Sequence, residues 1–506
     1  MGLESTHPLY QEFQEDWVQQ RDLYRGERVV KAKGEVYLPA TPGMHLDGMK
    51  KGDIGRKAYE SYKKRAVFPD YIRDGVEALV GLLHQKEPNI ELPAALEPLR
   101  DKATINGESL AMLLRRINTE QLITGRVGLL ADLPENPDPS NPLPYIVTYI
   151  AESIINWDDG EETEGFNSLN LVVLNESGFV RDADFQWKDM KKYRVLQLGD
   201  LEANEPEDAG AVYLMGSFAD DEGGSVDFNP DLMFAPMLRG KHLEQIPFIF
   251  INTKDIVSTP DDPPLLGLGR LALAIYRGEA DYRQSLFMQG QDTLVVVGGI
   301  RNPDGVLGED DDALRTGAGS RIDVEMGGDA KYIGVSSSGL SEQRQALEND
   351  RKRAETKAGQ LIAARGNQQE SGEALKTRLT AQTATLNQIA LAGAAGLENI
   401  LRTIATWMGA NPDEVHVDPN LEFADFDLSG QEIVYLMTAR TMGAPISKES
   451  IHGLMVDRGI TKFDYDTELE RIEEEDANAP LAGIGEPGVP FGLGGQQGNG
   501  DGQGDE

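Results

Sequence analysis

Leu386-Asn-Gln-Ile-Ala-Leu-Ala-Gly-Ala-Ala-Gly-Leu-Glu-Asn-Ile-Leu-Arg-Thr-Ile-Ala-Thr-Trp-Met408 is the stretch on which the reading of this chain turns. Leu386, Ile389, Gly393, Leu397, Ile400, Leu401, Ile404 and Met408 recur at three- and four-residue spacing, which is one face of an α-helix. The helical pattern reaches back to about Ser371 without a proline. Its first half differs, because Thr377, Thr380, Thr383 and Thr385 are β-branched and weak helix formers. Two readings stay open there: one continuous helix, or two helices with a break at Thr380 to Thr385. From Ala390 to Gly396 nearly every residue is small, which lets another element approach closely. A helix buried in its own chain explains this as well as a subunit contact through Ala390, Gly393, Ala394 and Gly396.

Upstream, Asp262-Pro-Pro264 is a helix start, since Asp caps free amides and Pro suits the first turn. The helix from about Pro264 to Gln289 carries Leu268, Leu271, Ile275, Tyr282, Leu286 and Phe287. A small β section follows at 293–297, 321–324 and 332–335, and Ser341 then caps a charged helix through Arg351-Lys352-Arg353 towards Leu361. Near the start, residues 1–55 are polar and poorly periodic. Tyr71, Val76, Leu79, Val80 and Leu83 form an apolar helical stripe that Pro88 closes, and a second helix runs from about Glu108 to Leu122. The period then changes to two. Short apolar runs at 127–130, 145–149, 169–174, 194–198, 212–214 and 248–251, set between Asn, Asp, Gly and Pro clusters, predict a mostly antiparallel β unit. The fold class expected is α+β.

After Pro412, Ser429-Gly-Gln-Glu432 is a capping box, Gly443 to Ser447 a turn, and Ile451, Leu454 and Met455 mark a second helix. A helix-turn-helix DNA reader is disfavoured there, because Glu432, Glu449, Asp457, Asp464, Asp466 and Glu473 to Asp476 have the wrong sign for phosphates. Residues 480–506 contain ten glycines and few apolar groups, the composition of a disordered tail.

The 506 residues set a prior of about three to four domains, with 48 basic side chains against 85 acidic ones, a formal charge of −37. A protein that grips nucleic acid by its phosphates needs the opposite balance. If DNA is a partner, it is handled without being held. The absence of cysteine excludes disulfides and thiolate metal sites. Residues 2–5 lack the pattern of a signal peptide and no apolar run approaches about 18 residues, so a soluble protein without a membrane partner is expected.

Catalytic signatures are weak. No two of the six histidines are four apart, as a zinc helix would require. Gly43 to Gly48 has the first spacing of a P-loop but lacks its Lys-Ser/Thr, and Gly334 to Gly339 is one residue too long for a nucleophile elbow. Asp310, Asp311 and Asp312 lack an EF-hand's spacing, so a solvated loop is the simpler reading. No enzyme, cofactor or metal is expected.

The order of elements, with several short motifs, resembles the portal (head-to-tail connector) proteins of tailed double-stranded-DNA bacteriophages over residues 55–475. The motifs are Tyr62-Lys-Lys-Arg-Ala-Val-Phe68 with Val80 to Leu83 and Lys86-Glu-Pro88; Thr124-Gly-Arg-Val-Gly-Leu-Leu-Ala-Asp132; Pro144-Tyr145, Tyr149 and Ala151 to Trp157; Ala280-Asp-Tyr-Arg283 with Leu286-Phe287; and Glu370 to Arg378. The resemblance implies a subunit with wing, stem, clip and crown in a ring of usually twelve around a central channel. By it, residues 1–262 are wing, 263–291 and 368–380 the two stem helices, 292–367 clip, 381–409 channel loop and long wing helix, 410–475 crown and 476–506 a tail. It departs from the family in having no Gly or Pro at the expected channel-loop break.

The resemblance further implies a virion protein of the capsid vertex, assembled in the host cytoplasm, through which the genome is packaged and ejected. Double-stranded DNA would pass without sequence readout, and terminase large subunit, then head-completion or adaptor proteins, would dock on the clip; major capsid and scaffolding proteins would be neighbours. Channel-loop candidates are Thr380, Gln382, Thr383 and Thr385, and DNA-backbone candidates are Lys376 and Arg378. Docking candidates are Glu309, Asp310, Asp311, Asp312, Arg351, Lys352 and Arg353. The alternatives are another acidic structural virion protein, such as a capsid or tail component, and a metal-dependent hydrolase.

Overall fold

The computed structural model describes residues 2–134, 143–160, 169–199, 211–220, 225–289, 293–297, 327–333, 339–362, 372–421, 430–457 and 461–478. Its described residues mix helix and sheet in two compact units, Met1–Phe423 and Ala424–Glu506.

The first unit opens with helices α1 (Pro8–Arg25), α2 (Glu27–Lys33), α3 (Pro42–Leu46), α4 (Ile54–Arg65) and α5 (Tyr71–Leu83), where the sequence suggests little order before residue 56. The reason lies in what α1 buries. Tyr10, Trp17 and Leu23 are accompanied into the interior by Gln20, Arg21 and Asp22, so the apolar row at Tyr10, Phe13 and Trp17 is interrupted by buried polar groups in the second half of the helix. Arg21 stays ionised inside by pairing with Glu120 at 2.7 Å and Glu152 at 2.5 Å. A short strand β1 (Asn89–Glu91) leads to α6 (Leu110–Thr124), which Ser109 caps by accepting from the Met112 amide. Gly125 ends α6 with φ 79°, and a Cβ there would sit 3.0 Å from the Asp261 carbonyl oxygen. Only glycine combines that left-handed backbone with that approach.

All strand pairings among the described residues are antiparallel. Strands β2 (Arg126–Asp132), β3 (Tyr145–Ile150) and β9 (Phe248–Asn252) form one sheet in the order β3-β2-β9. Strands β4 (Ile154–Asp158), β5 (Leu171–Asn175), β6 (Gly178–Arg181), β7 (Trp187–Gly199) and β8 (Val212–Asp220) form a second sheet, ordered β4-β5-β7-β6 with β8 also on β7. The six runs of period two are therefore strands. β4 and β6 are additional, and β6 is exposed along its whole length, so it leaves no alternation to read.

Helix α7 (Leu266–Gln289) leads to the antiparallel pair β10 (Thr293–Val297) and β11 (Asp329–Ile333). Helix α8 (Leu340–Ile362) returns along α7, buries Ala354 in the helical core and lays the buried Leu347 against Gly278 of α7. Then comes α9 (Gly372–Met408), followed by β12 (His416–Asp418), which pairs with β1. At about 1.5 Å per residue α9 is roughly 55 Å long. The second unit contains α10 (Gly430–Thr441), α11 (Lys448–Asp457) and α12 (Tyr465–Asn478), with His452 edge-on to Tyr465. Ser429, the 321–324 run and the tail lie outside the described residues.

Two expectations for α9 are corrected. The helix is continuous through Thr380 to Thr385, so the break expected there is absent from its backbone. A few tenths of a kcal/mol per threonine do not outweigh propagation of a helix already nucleated on both sides. Ala390, Gly393, Ala394 and Gly396 are all buried inside the chain rather than displayed to another subunit. A Cβ on Gly393 would lie 2.5 Å from Asn118 Nδ2 of α6, and one on Gly396 would lie 2.3 Å from Ile251 of β9.

This contrast gives opposite signs for one substitution. Gly396→Ala should destabilise by about 1–3 kcal/mol, since the added methyl meets a core isoleucine. Gly81→Ala, in α5 with nothing within 4 Å of its Cβ, should stabilise by up to about 1 kcal/mol. Thermal unfolding of both variants checks the pair.

Candidate functional site

The charged candidates separate once placed. Arg351 lies on α8 and bonds Glu279 of α7 through Nη2 at 2.6 Å, while Arg283 holds the other carboxylate oxygen at 2.5 Å. The Glu279 side chain is only 5% exposed, so Arg351 is committed to joining α7 and α8. Lys352 and Arg353 are exposed, Arg353 beside Asp350 at 3.4 Å. Of the seven docking candidates the described surface presents these two and the outer part of Arg351, whose side chain is 46% exposed; Glu309, Asp310, Asp311 and Asp312 lie outside the described residues. Lys376, Arg378, Thr380, Gln382 and Thr383 have backbone in α9, and their side chains are not among those described. Thr385 is exposed and lines a pocket of about 300 Å³ with Phe13, Lys254 and Gln388, all from the same unit.

Sequence reasoning missed a polar network between the two sheets. Arg194 of β7 pairs with Asp132 of β2, and its Nε lies 2.8 Å from Glu176. Tyr149 of β3 donates to Glu176 at 2.6 Å, Tyr145 donates to Asp132 at 3.1 Å, and Lys192 approaches Glu176 at 2.9 Å. Burial alone would raise the Glu176 pKa, but Arg194, Tyr149 and Lys192 together hold it below the ordinary value. The partners are separated by tens of residues, so no local motif announces them.

A second hidden cation is Arg126, fully buried at the start of β2 and within the quoted Thr124 to Asp132 motif. Its guanidinium lies over Phe250 at 4.1 Å and Trp157 at 4.4 Å, and His7 stacks on Trp157 at 4.1 Å. Burial pulls the Arg126 pKa down to about 9, still above neutral pH, so the side chain remains a cation held by aromatic faces.

A groove of about 760 Å³ runs beside β9, between Leu169, Ile246, Ile249 and Val257 on one side and Asn399 and Thr406 of α9 on the other. β9 is the last strand of its sheet, so this groove follows a strand edge with no further strand among the described residues. Among the described residues no group of three His, Asp or Glu side chains is arranged to hold a metal, and no helix is long and apolar enough to cross a membrane.

Residues 264–408, from α7 through α9, match a family model described as a domain of unknown function (DUF4055). No curated protein matches the sequence. Among solved structures, similar chains occur in the virion of a native gene transfer agent (GTA) particle, with 15% identity, 77% of this chain and 89% of that chain covered, and a TM-score of 0.36. The neck of the empty GTA particle, computed with C6 symmetry, gives 15% identity, 82% and 92% coverage and a TM-score of 0.35. The neck of the native GTA particle, computed with C12 symmetry, gives 14%, 76%, 89% and 0.34. Scores of this size do not fix a fold.

Two measurements test the charge assignments. Arg351→Gln should cost about 1–3 kcal/mol, the worth of a hydrogen bond to a buried charge, whereas Lys352→Gln and Arg353→Gln should each change stability by less than about 0.5 kcal/mol. For Glu176 the folded pKa lies below its unfolded value, taken as 4.5. Its contribution is therefore present above that pH and is lost as pH falls through the folded value. The melting-temperature gap between the parent and Glu176→Gln should be widest near neutral pH and narrow progressively below pH 4.5.

Proposed function

We propose that this chain is the subunit of a portal ring of a tailed double-stranded-DNA bacteriophage. Twelve copies surround a channel at one capsid vertex, and the genome enters and leaves through it. The ring is a passive conduit without a catalytic step or resident cofactor. It docks the terminase large subunit during packaging and head-completion or adaptor proteins afterwards, beside major capsid and scaffolding proteins. Assembly takes place in the host cytoplasm.

The observation that carries the reading is the course of α7. Its first part is anchored in the helical core by Leu273, Tyr276 and Ala280, all buried. Its last turns carry Leu286, Phe287 and Met288 to the surface, 43%, 39% and 45% exposed, and lead to the β10–β11 pair. An apolar helix end that leaves its own core and stays exposed is suited to burial against further copies. That is the place the portal resemblance gives to stem and clip.

The charge supports the same role. At −37 per chain, twelve copies carry 12 × −37 = −444 formal charges. An anionic wall around an anionic duplex leaves few attractive contacts to break at each step, so DNA slides. Lys376 and Arg378 are the cations assigned to touch the passing backbone.

Native mass spectrometry of the purified chain should give one dominant assembly of about 665 kDa (12 × 55.4 kDa). A monomer at all accessible concentrations would overturn the proposal.

A further inference from the structure

One zone of the chain reverses the sign of the whole. Residues 25–65, which carry α2, α3 and α4, hold eleven Lys or Arg against five Asp or Glu, net +6 in a chain of −37. Most carboxylates of the zone are already engaged. Glu27 takes Lys31 at 2.7 Å, Glu60 takes Arg56 at 2.8 Å and Lys63 at 3.0 Å, and the Asp53 carboxylate accepts from the Lys50 amide at 2.9 Å. Glu35 lies 3.3 Å from His45, which leaves Asp47 exposed without a cation among the described residues. Against that single carboxylate stand Arg25, Arg28, Lys50, Lys51, Lys57 and Lys64, all exposed and none in an ion pair among the described residues.

These cations are mounted on a fixed support. Gly55, Tyr59 and Tyr62 turn inward from α4, with Tyr59 donating to the Leu38 carbonyl at 2.8 Å and Tyr62 to Asp281 of α7 at 2.6 Å. At the helical period the opposite face is Ile54, Lys57, Ser61 and Lys64, every one exposed. Helix α3 backs on to α4 so closely that a Cβ on Gly55 would lie 1.9 Å from the Met44 carbonyl oxygen, and the Gly55 amide donates to the Asp47 carbonyl at 3.3 Å. The turn bearing Lys50 and Lys51 is thereby held at the head of α4.

We propose that the α2–α4 surface binds the phosphate backbone of duplex DNA without sequence readout. The inference takes its ligand from the portal reading above, in which residues 1–262 are wing and the channel lies elsewhere, so duplex held here does not oppose sliding through the channel. The chemistry fits a phosphodiester chain. Lysine ammonium groups are point charges that position a backbone and read no base. Duplex DNA carries a charge about every 1.7 Å of its axis, dense enough to meet cations spread along the roughly 18 Å of α4 together. A protein partner needs aromatic anchors to bury, and Tyr37, Tyr59 and Tyr62 of this zone are all turned into the core.

The test is the fluorescence anisotropy of a labelled random-sequence DNA duplex titrated with the full chain at several salt concentrations. Six phosphate contacts give a slope of log K against log salt of about −5, a loss of roughly a thousandfold between about 50 and 200 mM salt. In the Lys50→Gln/Lys51→Gln/Lys57→Gln/Lys64→Gln variant the slope should shrink by about four, with thermal unfolding matching the parent because all four side chains are exposed. Lys352→Gln/Arg353→Gln, which removes exposed cations of α8 instead, should leave the slope unchanged. Poly-glutamate serves as competitor, and its displacing the duplex at equal concentration of charge would assign the surface to an acidic protein and overturn the proposal. Rings that bind no duplex at about 50 mM salt, or whose slope survives the four substitutions, overturn this contact and leave the portal reading standing. Monomers that bind duplex with the lysine-dependent slope uphold the contact and overturn the ring.

Discussion

Close approach between α9 and the rest of the first unit is the constraint on which the structure depends. Gly393 places α9 against Asn118 and Gln121 of α6, and Gly396 places it against Ile251 of β9. With that spacing, Leu386, Ile389 and Ala390 join the helical core while Leu397, Ile400, Leu401, Ile404 and Trp407 join the core under the sheets. Helices α1 and α6 also contribute to both cores, through Trp17 and Leu23 and through Ile117 and Leu122. Three helices thus stitch the clusters into one body, and α9 does so with the least side-chain bulk.

That arrangement explains what the sequence disclosed. The α5 stripe and the second half of α9 were legible because each buries an apolar face at the helical period. The first helix was not, since its buried face includes Gln20, Arg21 and Asp22, and Arg21 is held there by Glu120 and Glu152 far along the chain. The threonines near 380 carried a real but small local preference, and helix continuity outweighed it. The small residues at 390–396 signalled close approach correctly. Their partner was not encoded locally, because a glycine facing a neighbouring helix of the same chain has the same pattern as one facing another subunit.

The candidate site shows the same division. A run such as Arg351-Lys352-Arg353 reads as one patch, yet successive helical positions point about 100° apart. Arg351 commits its guanidinium to the buried Glu279, while Lys352 has none of that commitment and Arg353 lies beside the surface Asp350. The Arg194 network and the Arg126 stack were invisible for the opposite reason, as each gathers residues from separate strands. What composition did convey is the sign of the whole surface, and an acidic chain is consistent with passing DNA rather than seizing it.

Class-averaged cryo-electron microscopy of the purified full chain tests the central claim most directly. The account predicts closed rings with an open axial channel wide enough for a DNA duplex. Compact particles without a channel, or open filaments that never close, would contradict it.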